Sequence, residues 1–360
     1  MRAPAKVGAR LEEVDTPALI LDLDAFEKNL STLKESVKGR VRVRPHAKTH
    51  KCPDVAKRQI ALGAVGMCCQ KVSEAEAMVE GGVADVLVSN EVVGAKKLER
   101  LAALSRRAKI GVCVDNAENV AQLKGDLDVY IELEVGMRRC GVEPGEAAVA
   151  LAKQITKHHR FAGLQAYHGR AQHMRTMEER HAAIEGAAQH VAEMKRLLAK
   201  AGIDCPIVTG AGSGTFMLEV EAGAWDEIQC GSYAFMDVDY AKNEWAAPLP
   251  RFEHALFVLT TVMSRAPDRA IVDAGLKASS VDSGMPGVWR RDGIRYTHAS
   301  DEHGWLEGER PGQPLPALGE KLQLVPGHCD PTINLHDWYV CVRRGVVEAL
   351  WPITARGALT

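Results

Sequence analysis

Long apolar runs are missing from this chain. No stretch of about 18 or more apolar residues occurs, so no membrane-spanning helix is expected. The opening Met-Arg-Ala-Pro-Ala-Lys-Val-Gly carries no apolar core of the kind a secretory leader needs. An excess of one charge is missing as well. The formal net charge is −2 and no basic stripe stands out, which argues against a nucleic-acid partner. Cys-x-x-Cys spacing is absent, and with it the usual mark of a structural zinc site. The nine cysteines are scattered, and Cys68, Cys69 and Cys113 lie within apolar, strand-like runs. Such thiols read as reduced and buried, the pattern of a cytoplasmic enzyme. Internal repeats and low-complexity segments are absent too.

What is present is size and regularity. With 360 residues, 46% hydrophobic and 26% charged, the chain can bury one large core or two smaller ones. Short apolar runs recur at 41–46, 64–69, 85–89, 109–115, 128–135, 161–168, 206–210 and 227–232. Segments of helical composition separate them, at 53–62, 73–80, 92–106, 116–124, 145–158, 176–201 and 215–223, and another at 24–37 precedes the first run. The clearest helix is 176–201, rich in Ala, Glu, Lys, Arg and Leu and stopped by Gly202. Nearly all-apolar strands alternating with helices predict a parallel sheet covered on both faces. Eight such units match the size of a (β/α)8 TIM-type barrel, with a doubly wound open sheet as the structural alternative. Beyond about residue 245 prolines punctuate the chain, and the runs at 255–263, 269–272, 321–325 and 338–342 predict a mainly β C-terminal domain. The run at 18–23 is surplus to eight barrel strands and is available to pair with that domain. The expected organisation is an N-terminal segment over 1–23 joining the β domain, a barrel over 24–245, and a β domain over 246–360.

In a parallel barrel, catalytic side chains project from the C-terminal ends of the strands. Val41 and Val43 lead through Pro45 to Lys48. A lysine held there is the residue type that forms a Schiff base with a carbonyl, including that of pyridoxal phosphate. Most lysines after strands are simply solvated, so Lys48 alone decides nothing. The other strand exits supply His46, Gln70, Asn90, Asp115, Asn116, Arg138, Arg139, His168, Gln172, His173, the run Gly210–Thr215, Ser232 and Tyr233. Polar or special residues at almost every exit point to an active-site face. Thr209-Gly-Ala-Gly-Ser-Gly-Thr215 follows the seventh run and opens a helix. Its glycines let the backbone approach an anion, at the place where barrels commonly hold phosphate, and the Tyr233 hydroxyl could join it. The plainer reading is a Gly-rich turn. In the late domain, Val325-Pro-Gly-His328-Cys329-Asp330-Pro331-Thr332, read as extended chain, puts His328 and Asp330 on one face. An imidazole and a carboxylate so placed could take a divalent metal. The carboxylate leans towards Mn²⁺ or Mg²⁺, where a thiolate would favour Zn²⁺. By pattern alone, His-x-Asp is more often a hydrogen-bonded turn. Lys51, Lys96 and Lys97 are expected to be solvated.

Five motifs together resemble the D-threonine aldolase and D-serine dehydratase group of alanine-racemase-like, fold-type III pyridoxal phosphate enzymes. They are Thr16-Pro-Ala-Leu-Ile-Leu-Asp-Leu-Asp24, Arg44-Pro-His-Ala-Lys-Thr-His50, Gly136-Met-Arg-Arg-Cys-Gly141, Thr209–Thr215 and Gly327-His-Cys-Asp-Pro-Thr332, so the resemblance runs from residue 16 to residue 332. It implies that Lys48 holds pyridoxal 5'-phosphate as an imine and that Arg139, rather than Arg138, contacts the cofactor's phenolic oxygen. Gly212, Ser213, Gly214, Thr215 and Tyr233 would hold the phosphate, His168 would lie against the ring, and Gln70 would belong to the same cofactor set. His328 and Asp330 would bind the divalent metal, with Mn²⁺ or Mg²⁺ favoured and Zn²⁺ left open. His173 would reach that metal through water or act as a catalytic base.

In the dehydratase branch the residue two after the metal histidine is a cysteine. Here it is Asp330, which looks like the aldolase branch. The resemblance therefore implies a homodimeric, metal-activated lyase that cleaves a small D-3-hydroxy amino acid of the D-threonine type to glycine and an aldehyde. Elimination of D-serine to pyruvate and ammonia, cleavage of 3-hydroxy-D-aspartate, and a non-catalytic cofactor carrier are the alternatives.

Overall fold

The computed structural model describes residues 2–360, which divide into two units. After strand β1 (Ala18–Asp22), eight short strands follow one another between helices: β2 (Arg42–Val43), β3 (Met67–Cys69), β4 (Asp85–Glu91), β5 (Lys109–Val114), β6 (Leu127–Glu132), β7 (Arg160–Ala166), β8 (Ile207–Gly210) and β9 (Glu227–Ile228). Their sheet order is β2-β9-β8-β7-β6-β5-β4-β3, with every pairing parallel. The two ends of that order meet at a parallel bridge between His46 and Cys68. There the Ala47 N–H donates to the Cys68 carbonyl (2.7 Å) and the Cys68 N–H donates to the Pro45 carbonyl (2.8 Å). The strands thus close into the (β/α)8 barrel that the alternation predicts. This unit comprises Thr32–Gly231, Asn243–Arg251 and Gly357–Thr360.

The longer barrel strands are largely apolar because both of their faces are covered; all six residues of β6 are buried. The helices are amphipathic in the complementary sense. Ala95–Leu104 buries Leu98, Leu101 and Leu104, one stripe of its surface. Met177–Lys200 begins at a capping box, in which the Thr176 hydroxyl accepts from the Glu179 N–H (3.2 Å) and the Glu179 carboxylate accepts from the Thr176 N–H (3.1 Å). It ends before Gly202, at φ +72°.

A polar network lies among the barrel strands. Arg44, 2% exposed, donates from Nε to Glu227 (2.8 Å) and from Nη1 to Asp85 (2.6 Å). Glu227 is fully buried and also accepts from the Thr209 hydroxyl (2.9 Å). Thr209 in turn accepts from Gln229 (2.8 Å). Removing one member of such a pair strands a buried charge. Arg44→Ala is therefore expected to destabilise the protein by about 3–5 kcal/mol, read as a lowered urea midpoint.

The other unit contains the chain up to Ser31, Ser232–Lys242 and Phe252–Arg356. Its strands after β1 are β10 (Leu256–Arg265), β11 (Arg269–Val272), β12 (Gly287–Val288), β13 (Ile294–Ala299), β14 (Gly304–Gly308), β15 (Lys321–Val325), β16 (Trp338–Arg343) and β17 (Val346–Pro352). β1 lies inside the sheet, antiparallel to β10 and parallel to β16. Its Ile20 packs in an apolar cluster with Phe257, Leu259 and Val340. No helix among the described residues is long and apolar enough to cross a membrane.

Candidate active site

The barrel unit carries most of the candidate residues on the C-terminal side of its strands. Lys48, half-buried, follows β2 on a turn in which its own N–H donates to His46 Nδ1 (3.3 Å). That contact leaves the His46 proton on Nε2, which faces the Ser89 hydroxyl and the Gln70 side-chain amide, both at 3.1 Å. Gln70 is fixed further by its N–H, which donates to Glu74 (2.7 Å). Thr49, next to Lys48, is buried, and its hydroxyl has no protein partner among the described residues. A buried hydroxyl of that kind suits a site completed by a ligand. Lys51 is not solvated as expected. It is buried and its ammonium pairs with the buried Glu74, because the chain turns back there at φ +53°.

His168 follows β7, is buried, and accepts from the Ala171 N–H at Nδ1 (3.2 Å). Burial holds its pKa below the usual histidine value, which favours a neutral ring. Gly136, at φ +113°, packs so closely that a Cβ there would lie 2.8 Å from His168 Nε2. His173 is exposed and ends the short 3-10 turn Arg170–His173. Arg139 is exposed, lies over the Tyr167 ring (5.7 Å to the centroid) and sits 3.4 Å from Glu132. Burial and the neighbouring charge of Glu91 push the Glu132 carboxyl up to about 7, against the pull of Arg139. Glu132 Oε2 has no partner among the described residues.

The turn from Ala211 to Thr215 is buried and held from behind. Gln172 accepts from the Gly214 N–H (2.9 Å) and donates to the Thr215 hydroxyl (2.8 Å). The fully buried Arg180 donates to the Gly214 carbonyl (2.8 Å). A Cβ at Gly214 would lie 2.6 Å from the Gln172 carbonyl oxygen, so this turn accepts no side chain there. The Thr215 hydroxyl donates to Glu219 (2.8 Å), whose carboxyl burial pushes up to about 8. The helix Phe216–Ala222 has only seven residues and the Gly214, Thr215 and Phe216 N–H groups are already bonded, so an anion here would be held mainly by Ser213 and the backbone at the start of the turn. Sequence reasoning passed over Arg180 and Glu219, single charged residues within helices whose partners lie far away in the sequence or on the preceding turn. Tyr233, buried, falls in the segment Ser232–Lys242 and so belongs to the β unit.

His328 and Asp330 also lie in the β unit, but not on extended chain. Cys329–Ile333 is a short helix and His328 is its N-cap. Asp237, fully buried, imposes this turn: its carboxylate accepts from the Tyr240 N–H and the Cys329 N–H, both at 2.9 Å. Burial pulls the His328 pKa down, but the charge of Asp330, the hydrogen bond to Asp282 and the charge of Asp237 carry it above the usual value. An imidazole among carboxylates is a donor set that suits a divalent cation. Among the described residues no group of three or more such ligands is already assembled. Protein ligands of a cation here would be His328 and Asp330, with water completing the shell.

The alanine racemase N-terminal domain model matches residues 21–239, and the putative serine dehydratase domain model matches residues 255–342. The chain is 50% identical to D-threonine aldolase of Arthrobacter sp. over 365 residues, covering 98% of this chain and 96% of that protein. It is 47% identical to 3-hydroxy-D-aspartate aldolase of Paracoccus denitrificans (strain Pd 1222) over 371 residues, covering 98% and 95%. Among solved structures, D-threonine aldolase from Filomicrobium marinum superposes with a TM-score of 0.97 at 51% identity, covering 99% of this chain and all of that one.

Proposed function

Because the chain belongs to the D-threonine aldolase family of alanine-racemase-like proteins, we propose that it is a pyridoxal phosphate-dependent lyase. It cleaves a D-3-hydroxy amino acid of the D-threonine type to glycine and an aldehyde, with a divalent cation as activator. The observation that carries the reading is half-identity to an aldolase along 98% of the chain. The carboxylate of Asp330, two residues after His328, supports a hard cation such as Mn²⁺ or Mg²⁺. A homodimer acting in the cytoplasm is part of the same proposal.

When bound, pyridoxal phosphate supplies a sink for the electron pair of a breaking Cα–Cβ bond, and the cation supplies a Lewis acid for the β-oxygen. The chain's own residues do the rest. Lys48 Nζ is the group that would attach the cofactor covalently and give it up to the substrate's amino group. The turn at Gly212, Ser213, Gly214 and Thr215, with Tyr233, would hold the phosphate; Gln70 and Arg139 would hold the cofactor's edge. His168, its pKa lowered by burial, would contact the ring without adding charge. His328 and Asp330 would hold the cation. His173 would take the β-hydroxyl proton onto its imidazole nitrogen; as the Cα–Cβ bond breaks, Cβ leaves as the aldehyde, and Cα would gain a proton in its place, returned from His173 directly or through water, to give glycine.

Two observations keep other substrates in the test. The Paracoccus relative is a 3-hydroxy-D-aspartate aldolase, and the β unit matches a putative serine dehydratase model. Purified protein with pyridoxal phosphate and Mn²⁺ is expected to yield glycine and acetaldehyde from D-threonine, with both lost on adding EDTA. Glyoxylate formed faster from 3-hydroxy-D-aspartate would move the substrate assignment to that acid. Pyruvate from D-serine, with no aldehyde from D-threonine, would refute the aldolase.

A further inference from the structure

We propose that Asp282 fixes the tautomer and orientation of His328, so that Nε2 is the nitrogen offered to the cation. The inference rests on reading His328 and Asp330 as cation ligands. Asp282 Oδ2 lies 2.8 Å from His328 Nδ1. A neutral imidazole carries one N–H, and a carboxylate beside Nδ1 draws that proton there, leaving the lone pair on Nε2. Ligating histidines usually carry such a partner on the second nitrogen, which orients the ring and strengthens it as a donor.

Asp282 is itself held in place. The Ser280 hydroxyl donates to Oδ1 (2.8 Å) and the Ser283 hydroxyl to Oδ2 (3.0 Å). The Ser280 N–H donates to the Thr332 hydroxyl (3.1 Å), and Thr332 is fully buried on the short helix that carries Asp330. Gly327, just before His328, packs against the Gly284 carbonyl, where a Cβ would have no room. One loop, 280–284, therefore grips the residues on both sides of the ligand pair. The plainer reading is an exposed ion pair of little consequence, since the Asp282 side chain is 48% exposed. An exposed pair that is not itself held would leave the ring free to turn away from the carboxylate. The serine contacts on both Asp282 oxygens and the tie to Thr332 favour the positioning role.

The test uses the full chain, without metal and then with Mn²⁺. With ¹⁵N-labelled histidine at alkaline pH, His328, identified by its loss in His328→Gln, is expected as the Nδ1–H tautomer. Asp282→Ala should shift it towards Nε2–H. Titration with Mn²⁺, read as free-ion EPR signal, should give about 10–100-fold weaker binding in Asp282→Ala. Asp282→Asn, whose amide oxygen still accepts from Nδ1–H, should keep the tautomer and recover part of the affinity. Wild-type tautomer and affinity in Asp282→Ala would overturn the role of Asp282 while leaving the cation site intact. Wild-type protein that binds no Mn²⁺, or His328→Gln binding as tightly as wild type, would overturn the site itself and the proposal with it.

Discussion

Lys48→Ala is expected to fold, to bind pyridoxal phosphate reversibly, and to lose cleavage on the order of 10⁴-fold. The loss is large because the lysine does two things at once. It holds the cofactor covalently between turnovers, and it reclaims the cofactor from the product. Folding should survive because the fixed part of this turn is backbone and His46: the Lys48 N–H, present in alanine too, is the group that donates to His46 Nδ1. The decisive measurement is borohydride reduction followed by peptide mass analysis. Wild-type protein should gain the reduced cofactor on the peptide containing Lys48, and the variant should gain none. Labelling at Lys51 instead would refute the assignment. The structure argues against that outcome, since Lys51 is buried and paired with Glu74.

Asp330→Ala should separate the two halves of the chemistry. Covalent attachment at Lys48 is expected to be unchanged, because the bond to the cofactor is made by Lys48 Nζ and needs no cation. Cation-dependent cleavage should fall by about 10²-fold or more, as expected when the Lewis acid is lost from the β-oxygen. The readouts are the borohydride label, aldehyde release with and without Mn²⁺, and Mn²⁺ affinity. Full activity in Asp330→Ala, insensitive to EDTA, would remove the cation from the mechanism. The variant should remain folded, because the anchor of this turn is Asp237, whose carboxylate takes the Cys329 N–H.

The barrel was legible because buried parallel strands leave a simple trace. β5, β6 and β7 each stand out as a largely apolar run between helical segments. The β unit was less so. β13 alternates buried and exposed residues, with Arg295 and His298 on its open side, and β14 is five residues with a glycine at each end. Such antiparallel strands resemble loops when only apolar runs are sought. Within the sites, residue types at strand exits could be read, but partners distant in sequence could not. Asp282 precedes His328 by a loop and four strands, and nothing in the spacing links them. The same blindness put Lys51 in solvent, since Glu74 meets it only in the folded barrel. Reading 328–330 as extended chain failed for a related reason: a buried carboxylate far back in the chain, Asp237, winds that segment into a helical turn.

β1 bears on how this protein is made. Its partners, β10 and β16, leave the ribosome long after it does; Ala18 meets Leu259 roughly 240 residues later. Throughout synthesis of the barrel, the run Ala-Leu-Ile-Leu stays without its sheet. That nascent interval is when the chain is most exposed to self-association and to chaperone capture. Delay anywhere between β1 and β16 would lengthen it, and the barrel makes up most of that span. Expression yield should therefore respond to codon choice over the barrel as well as over the last third of the gene.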